Sequence, residues 1–223
     1  MNSSAVAETV ALVQQIGAAL LNAGQTTDAD FAADLRLAVG NLVDRAEVLI
    51  RARGMGTALQ TAFTAAVEAE ATFEALDRIR RLALAISVST LTGQAAKTAC
   101  VRFCLIAMAQ VLAQISFRSR DDATAAAARA SAAFSPAIED AADAGDQQAY
   151  RDLVALHAAV TRDLGQRARP LPRMVSFSLP RSLPTLVISQ RIYSAGDRAD
   201  EIAAENAVIH PLFAPAQGRA LSA

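Results

Sequence analysis

Thr185 to Pro215, TLVISQRIYSAGDRADEIAAENAVIHPLFAP, decides how the chain is read, because here an alanine-rich composition gives way to mixed patterning. Leu186, Ile188 and Ile192 alternate with more polar neighbours in a β-branched run, which predicts a strand. Ser194-Ala195-Gly196-Asp197 supplies turn chemistry, and Arg198 to Asn206 has the pattern of a short amphipathic helix. The expectation is a strand-turn-helix unit. Just upstream, Met174 to Leu179 alternates in strand fashion before Pro180 and Pro184 bracket a turn. Arg169-Pro-Leu-Pro172 reads as extended, since each proline fixes its own φ and moves its predecessor out of the α region.

This composition change marks a boundary. Alanine supplies about a quarter of the chain yet is absent between Ala168 and Ala195, and six of the seven prolines lie at or after Pro170. The fold class expected is mainly α: an alanine-rich helical domain over 1–166, a proline-containing linker over 167–172 that could act as an arm, and a small α+β module over 173–223.

The helical part divides by its punctuation. Val6, Val10, Val13, Ile16 and Leu20 give a first helix from about Ala5 to Leu21, capped by Ser3 or Ser4. Thr27 with Asp30 resembles a capping box opening a second helix, whose Phe31, Leu35, Val39, Leu42, Ala46 and Leu49 form a stripe and whose Glu47 can pair with Arg51. Gly54-Met55-Gly56 stops it; no strand precedes this GxG and no Walker spacing follows, so it reads as a helix stop. The longest helix is expected from about Thr57 to Leu91, about 50 Å at 1.5 Å per residue, with Glu74–Arg78 and Asp77–Arg81 pairs. The next, from about Gln94 to Phe117, is apolar nearly all round and predicts the buried centre of a bundle. Residues 123–134 are nearly all alanine, suited to close approach, and Pro136 and Gly145 read as breaks before a last helix over Gln147 to Leu164.

Charge and cysteine content narrow the classes. Residues 1–166 carry 14 basic and 18 acidic groups, and 167–223 carry 7 and 4, an excess too dilute for a nucleic-acid footprint. Cys100 and Cys104 share a helix face in an apolar stretch with no histidine close in sequence, which fits core residues better than a metal site. Phe103 to Phe117 is short for a bilayer span, and MNSSAVAETV lacks a charged signal-peptide start, so no membrane span and a reducing compartment are expected. No Ser-His-Asp set, carboxylate pair in a cleft or phosphate loop can be assembled. The expectation is a protein that is not an enzyme, with no catalytic, cofactor or metal residues.

The C-terminal pattern resembles the DNA circularisation (DNA circulation) proteins of Mu-like bacteriophages. Pro184, Leu186 and Val187 lead to Arg191 and Tyr193, then to Arg198, Ala199, Glu201 and Asn206, then to a His210-Pro211-x-Phe213-x-Pro215 hook. Leu212 stands where relatives tend to have glycine, and the family's separate N-terminal module has no counterpart ahead of the helices. The resemblance implies a structural protein of a contractile tail, at the baseplate hub or tube-baseplate junction, found in the virion and in host cytoplasm during assembly. Its implied partners are other tail and baseplate proteins (tube, hub, wedge, tape measure) and further copies of itself, in a hexameric ring ahead of a trimer. Arg191, Tyr193, Arg198, Glu201, Asn206, His210, Pro211, Leu212 and Phe213 are the implied interaction residues.

Gly196-Asp197 followed by Ile202-Ala203 also has the spacing of the LysM core, which implies a LysM-like module and, as an alternative function, peptidoglycan binding. Binding or protection of DNA ends is a further alternative, and direct nucleic-acid contact is not the expectation. By residue chemistry alone, Leu186, Ile188, Tyr193, Ile202 and Phe213 read as the small module's core. Asn206 reads as a helix C-cap, His210 as held by Pro211 and backbone bonds, and Arg191 and Arg198 as partners for Asp200, Glu201 or Glu205.

Overall fold

A computed structural model describes residues 3–222. The protein is mainly α, with 70% helix, ~5% strand and a small two-stranded sheet. The chain forms two units: residues 1–115 with 128–163, and residues 116–127 with 164–223. The second unit thus starts at Leu164 and recruits 116–127, in place of an uninterrupted helical domain over 1–166.

In the first unit, α1 (Ser3–Leu21), α2 (Ala29–Asp44), α3 (Ala46–Arg51), α4 (Met55–Glu68), α5 (Phe73–Ala85) and α6 (Leu91–Gln114) form a bundle. Helix α6 packs against α1, α4 and α5. Its Cys100, Cys104, Leu105, Met108 and Leu112 are buried, so it is the core helix its all-round apolar pattern predicts. From α1, Leu12, Val13, Ile16 and Leu20 join them; Gly17 lets α2 approach, since a Cβ there would sit 2.6 Å from Val43 Cγ2. Helices α1 and α6 are long and apolar enough to cross a membrane by length and composition, with 44% and 56% of those windows buried within the protein.

Several helix limits differ from the sequence reading. The helix expected over 57–91 is two, because Glu70 takes a left-handed φ of 61° and Thr72 caps α5, its hydroxyl accepting from Ala75 N–H at 3.2 Å. The second helix breaks at Arg45 and is capped by Asp28, which accepts from Asp30 N–H, with no Thr27 capping box. Phe31, placed on the buried stripe, is 44% exposed. Asp77 binds both Arg81 and Arg80, whereas Glu74 reaches Arg129 and not Arg78. The Glu47–Arg51 pair forms at 2.7 Å.

Two side chains secure the α5–α6 connection. The Glu8 carboxylate of α1 accepts from Thr90 N–H at 2.9 Å, from the Ser89 hydroxyl at 3.0 Å, and from Ser89 N–H and the Thr90 hydroxyl. These bonds, the Thr90 hydroxyl first, hold its pKa down at about 2. Lys97, the sole lysine of the sequence, donates to the carbonyls of Leu84 and Ile86 at 2.8 Å each, covering acceptors that the end of α5 leaves open.

Helices α7 (Arg120–Asp143) and α8 (Gln147–Ala168) contribute to both units. Pro136 lies inside α7, which continues through it. Within the first unit Ala130, Ala133, Phe134, Ala137 and Ala141 of α7 are buried, and Arg129 pairs with Glu74 over the Phe73 ring. His157 of α8 stacks on Phe134 and lies 2.9 Å from the Ser131 hydroxyl.

The second unit has the order β1 (Met174–Ser178), α9 (Thr185–Tyr193), α10 (Ala199–Glu205), β2 (Gln217–Leu221). The strands pair antiparallel, from Met174 opposite Leu221 to Ser178 opposite Gln217. β1 lies where alternation predicts it. The strand expected over Leu186–Ile192 is instead α9: Pro184, at φ −58°, opens a helix naturally, and the buried residues Thr185, Ile188 and Ser189 follow helical spacing. The unit is therefore strand-helix-helix-strand, and Gly196-Asp197 turns between two helices. Residues 167–172 form no separate arm, for α8 runs to Ala168 and Arg120 N–H bonds the Pro172 carbonyl at 2.8 Å.

Candidate interaction site in the C-terminal unit

The core of the second unit is Ile188, Ile202 and Ala214, with Phe177, Leu179, Leu183, Ile192, Tyr193 and Val208 packed around it. Leu186 and Phe213, expected in this core, are instead 60% and 73% exposed. So small a core leaves polar side chains to fix the geometry, and the residues singled out by sequence divide into those that lock and those that are displayed.

Three of them meet between α9 and α10. Arg198 donates from Nε and Nη2 to the two Glu201 carboxylate oxygens at 3.0 Å each, and its guanidinium lies 3.9 Å from the centre of the Tyr193 ring. The two-pronged bond and the stacking together fix the planar fork. The Tyr193 hydroxyl lies 2.7 Å from the Leu221 carbonyl and 3.0 Å from Glu201 Oε1, tying both helices to β2. Burial, and then the neighbouring carboxylate, push this phenol up to about 12.

Asn206 caps α10 as expected and also braces the sheet. Its Nδ2 donates to the carbonyls of Ile202 and Arg219 at 2.8 Å, and its Oδ1 accepts from Arg219 N–H at 2.7 Å. Gly218 beside it has no room for a side chain: a Cβ would sit 2.6 Å from Phe177 Cζ and would also run into Asn206 Oδ1. Sequence reasoning assigned no role to Gly218; its place three residues beyond the last proline of the hook was the available signal.

Beyond Asn206 the chain turns at Ala207, φ 48°, and enters the displayed segment. Leu212 N–H bonds His210 Nδ1 at 3.3 Å, Phe213 N–H bonds the His210 carbonyl at 2.9 Å, and Thr185 N–H bonds the Pro211 carbonyl at 2.7 Å. Leu183 and Ala214 pair as a bridge at its base. The segment is thus held at several points, while Ile209 is fully exposed, Leu212 is 55% exposed and Phe213 is 73% exposed with the His210 ring 5.5 Å away. Leu221 is buried in β2. Ile209 was not singled out by sequence. Arg191 lies exposed on the last turn of α9, apart from the Tyr193 cluster.

Among the described residues no group of three or more His, Cys, Asp or Glu could hold a metal. No known family model matches this chain, and no curated protein does either.

Proposed function

We propose that this chain is a structural component of a contractile phage tail, at the baseplate hub or tube-baseplate junction, acting by docking between subunits. The observation that carries the reading is the division of labour within the hook pattern. Tyr193, Arg198, Glu201 and Asn206 use their polar groups on internal bonds, whereas Ile209, Leu212 and Phe213 stand in solvent on a backbone held by Thr185 and Leu183. Large apolar side chains grouped on one braced loop mark a surface meant to be covered. Tyr193, Arg198, Glu201, Asn206 and Phe213 are also among the residues that carry the resemblance to the Mu-like phage proteins, which supplies the setting.

Peptidoglycan binding by a LysM-like unit is the second reading, and it rests on the spacing of Gly196-Asp197 and Ile202-Ala203. The test is the particle. Mass spectrometry of purified virions should find the protein at a fixed low copy number, and Phe213→Ala should leave it folded but reduce its incorporation. Its absence from virions, or retention on insoluble peptidoglycan by the isolated chain, would overturn the tail role.

A further inference from the structure

We propose that residues 209–213 of one copy seat in the groove between α2 and α4 of a second copy, giving a head-to-tail contact. The proposal rests on the docking role given above to this segment and names its occupant. The groove is open to solvent, about 420 Å³ in volume, and its lining mixes Leu37, Ala38 and Ala65 with polar side chains. Leu37 is 64% exposed, so a large apolar side chain already faces the opening.

The rim is acidic. Asp34 and Glu68 line it with no lysine or arginine among the lining residues, and α2 and α4 together carry Asp30, Asp34, Asp44 and Glu68 against Arg36. The hook has the opposite surroundings. Its unit carries nine arginines against six carboxylates, while the first unit carries twelve basic groups against sixteen acidic ones. Arg181 is exposed two residues from Leu183, whose backbone pairs with Ala214 at the foot of the hook. An apolar projection on a net-basic unit thus complements a groove on the same sequence whose lining joins Leu37, Ala38 and Ala65 to acidic and neutral polar side chains. Such complementarity favours a second copy, since attraction between the rims aligns the partners as burial holds them.

Because the two surfaces differ, each contact leaves one free hook and one free groove. Association therefore propagates until a ring closes. The test uses the full chain in solution, by light scattering after size exclusion and by native mass spectrometry. Wild type should self-associate as concentration rises, and added salt should weaken it. Phe213→Asp, which keeps the groove, and Leu37→Arg, which keeps the hook, should each be monomeric, and mixing them should give a one-to-one dimer and nothing larger. Circular dichroism checks their folding, with Leu212→Ser and Thr64→Arg as the replacement pair. A wild type that stays monomeric, a variant that still self-associates, or a mixture that forms no dimer would overturn the contact. Virion composition reads the tail role separately: a self-associating protein missing from virions sinks that role and keeps this contact, and a virion protein that is monomeric and non-complementing does the reverse.

Discussion

Asn206 closes on the backbone of Arg219 twice, accepting from its N–H at 2.7 Å and donating to its carbonyl at 2.8 Å. A side-chain amide is thereby used as an extra strand partner for β2. Asn206→Ala removes both bonds and the one to Ile202, so the second unit should lose about 1–3 kcal/mol of stability. Hydrogen exchange at the Arg219 amide checks it. Asn206→Asp should be nearly as damaging, since the acceptor stays and the donor is lost.

Glu8 gives the first unit an acid-sensitive joint. Its folded pKa of about 2 lies below the ordinary 4.5, so the stabilisation is fully present above about pH 4.5 and is lost as pH falls toward 2. Glu8→Gln should be less stable than wild type at neutral pH, and the gap should narrow through that window. Thermal melts of both proteins across the acid range measure it.

Cys100 and Cys104 should be silent toward thiol reagents in the native state. Burial pushes Cys100 up to about 12 and Cys104 well above its usual value, so the reactive thiolate is scarce as well as inaccessible. Labelling should follow the opening of α6 and accelerate sharply in denaturant; prompt native labelling would contradict the buried placement.

Pro136 interrupts the hydrogen-bond ladder of α7 at an exposed position. Restoring the missing donor with Pro136→Ala should stabilise the helix, by up to about 3 kcal/mol. Urea unfolding of the pair decides it.

Much of the scaffold was legible in the sequence because large apolar residues at three-to-four spacing leave few alternatives. Val6, Val13, Ile16 and Leu20 of α1 and the largely apolar α6 are examples. The misreadings have local causes. Glu70 takes a left-handed turn that its residue type does not advertise, so α4 and α5 looked continuous. The run Thr185–Tyr193 is β-branched yet helical, since Pro184 sets its first turn and Ile188 and Ile192 meet the core one turn apart. In the candidate site, residue types offered Glu201 as one of three partners for Arg198 and put Tyr193 in the small core, so the meeting of all three was not legible. Phe213 was assigned to the core because size and apolarity do not distinguish a core residue from a displayed one, and only the brace at Thr185 and Leu183 turns it outward.

The lone lysine has a practical bearing on how assembly is studied. With twenty arginines and one amine-bearing side chain, and that amine engaged by the Leu84 and Ile86 carbonyls, amine-directed cross-linkers would pass over the hook and the α2–α4 groove alike. Carboxyl-directed reagents would instead find Asp34 and Glu68 at the groove rim. Amine labelling then gains a narrower use: acylation at Lys97, read by peptide mapping, becomes a clock for the release of the α5 terminus.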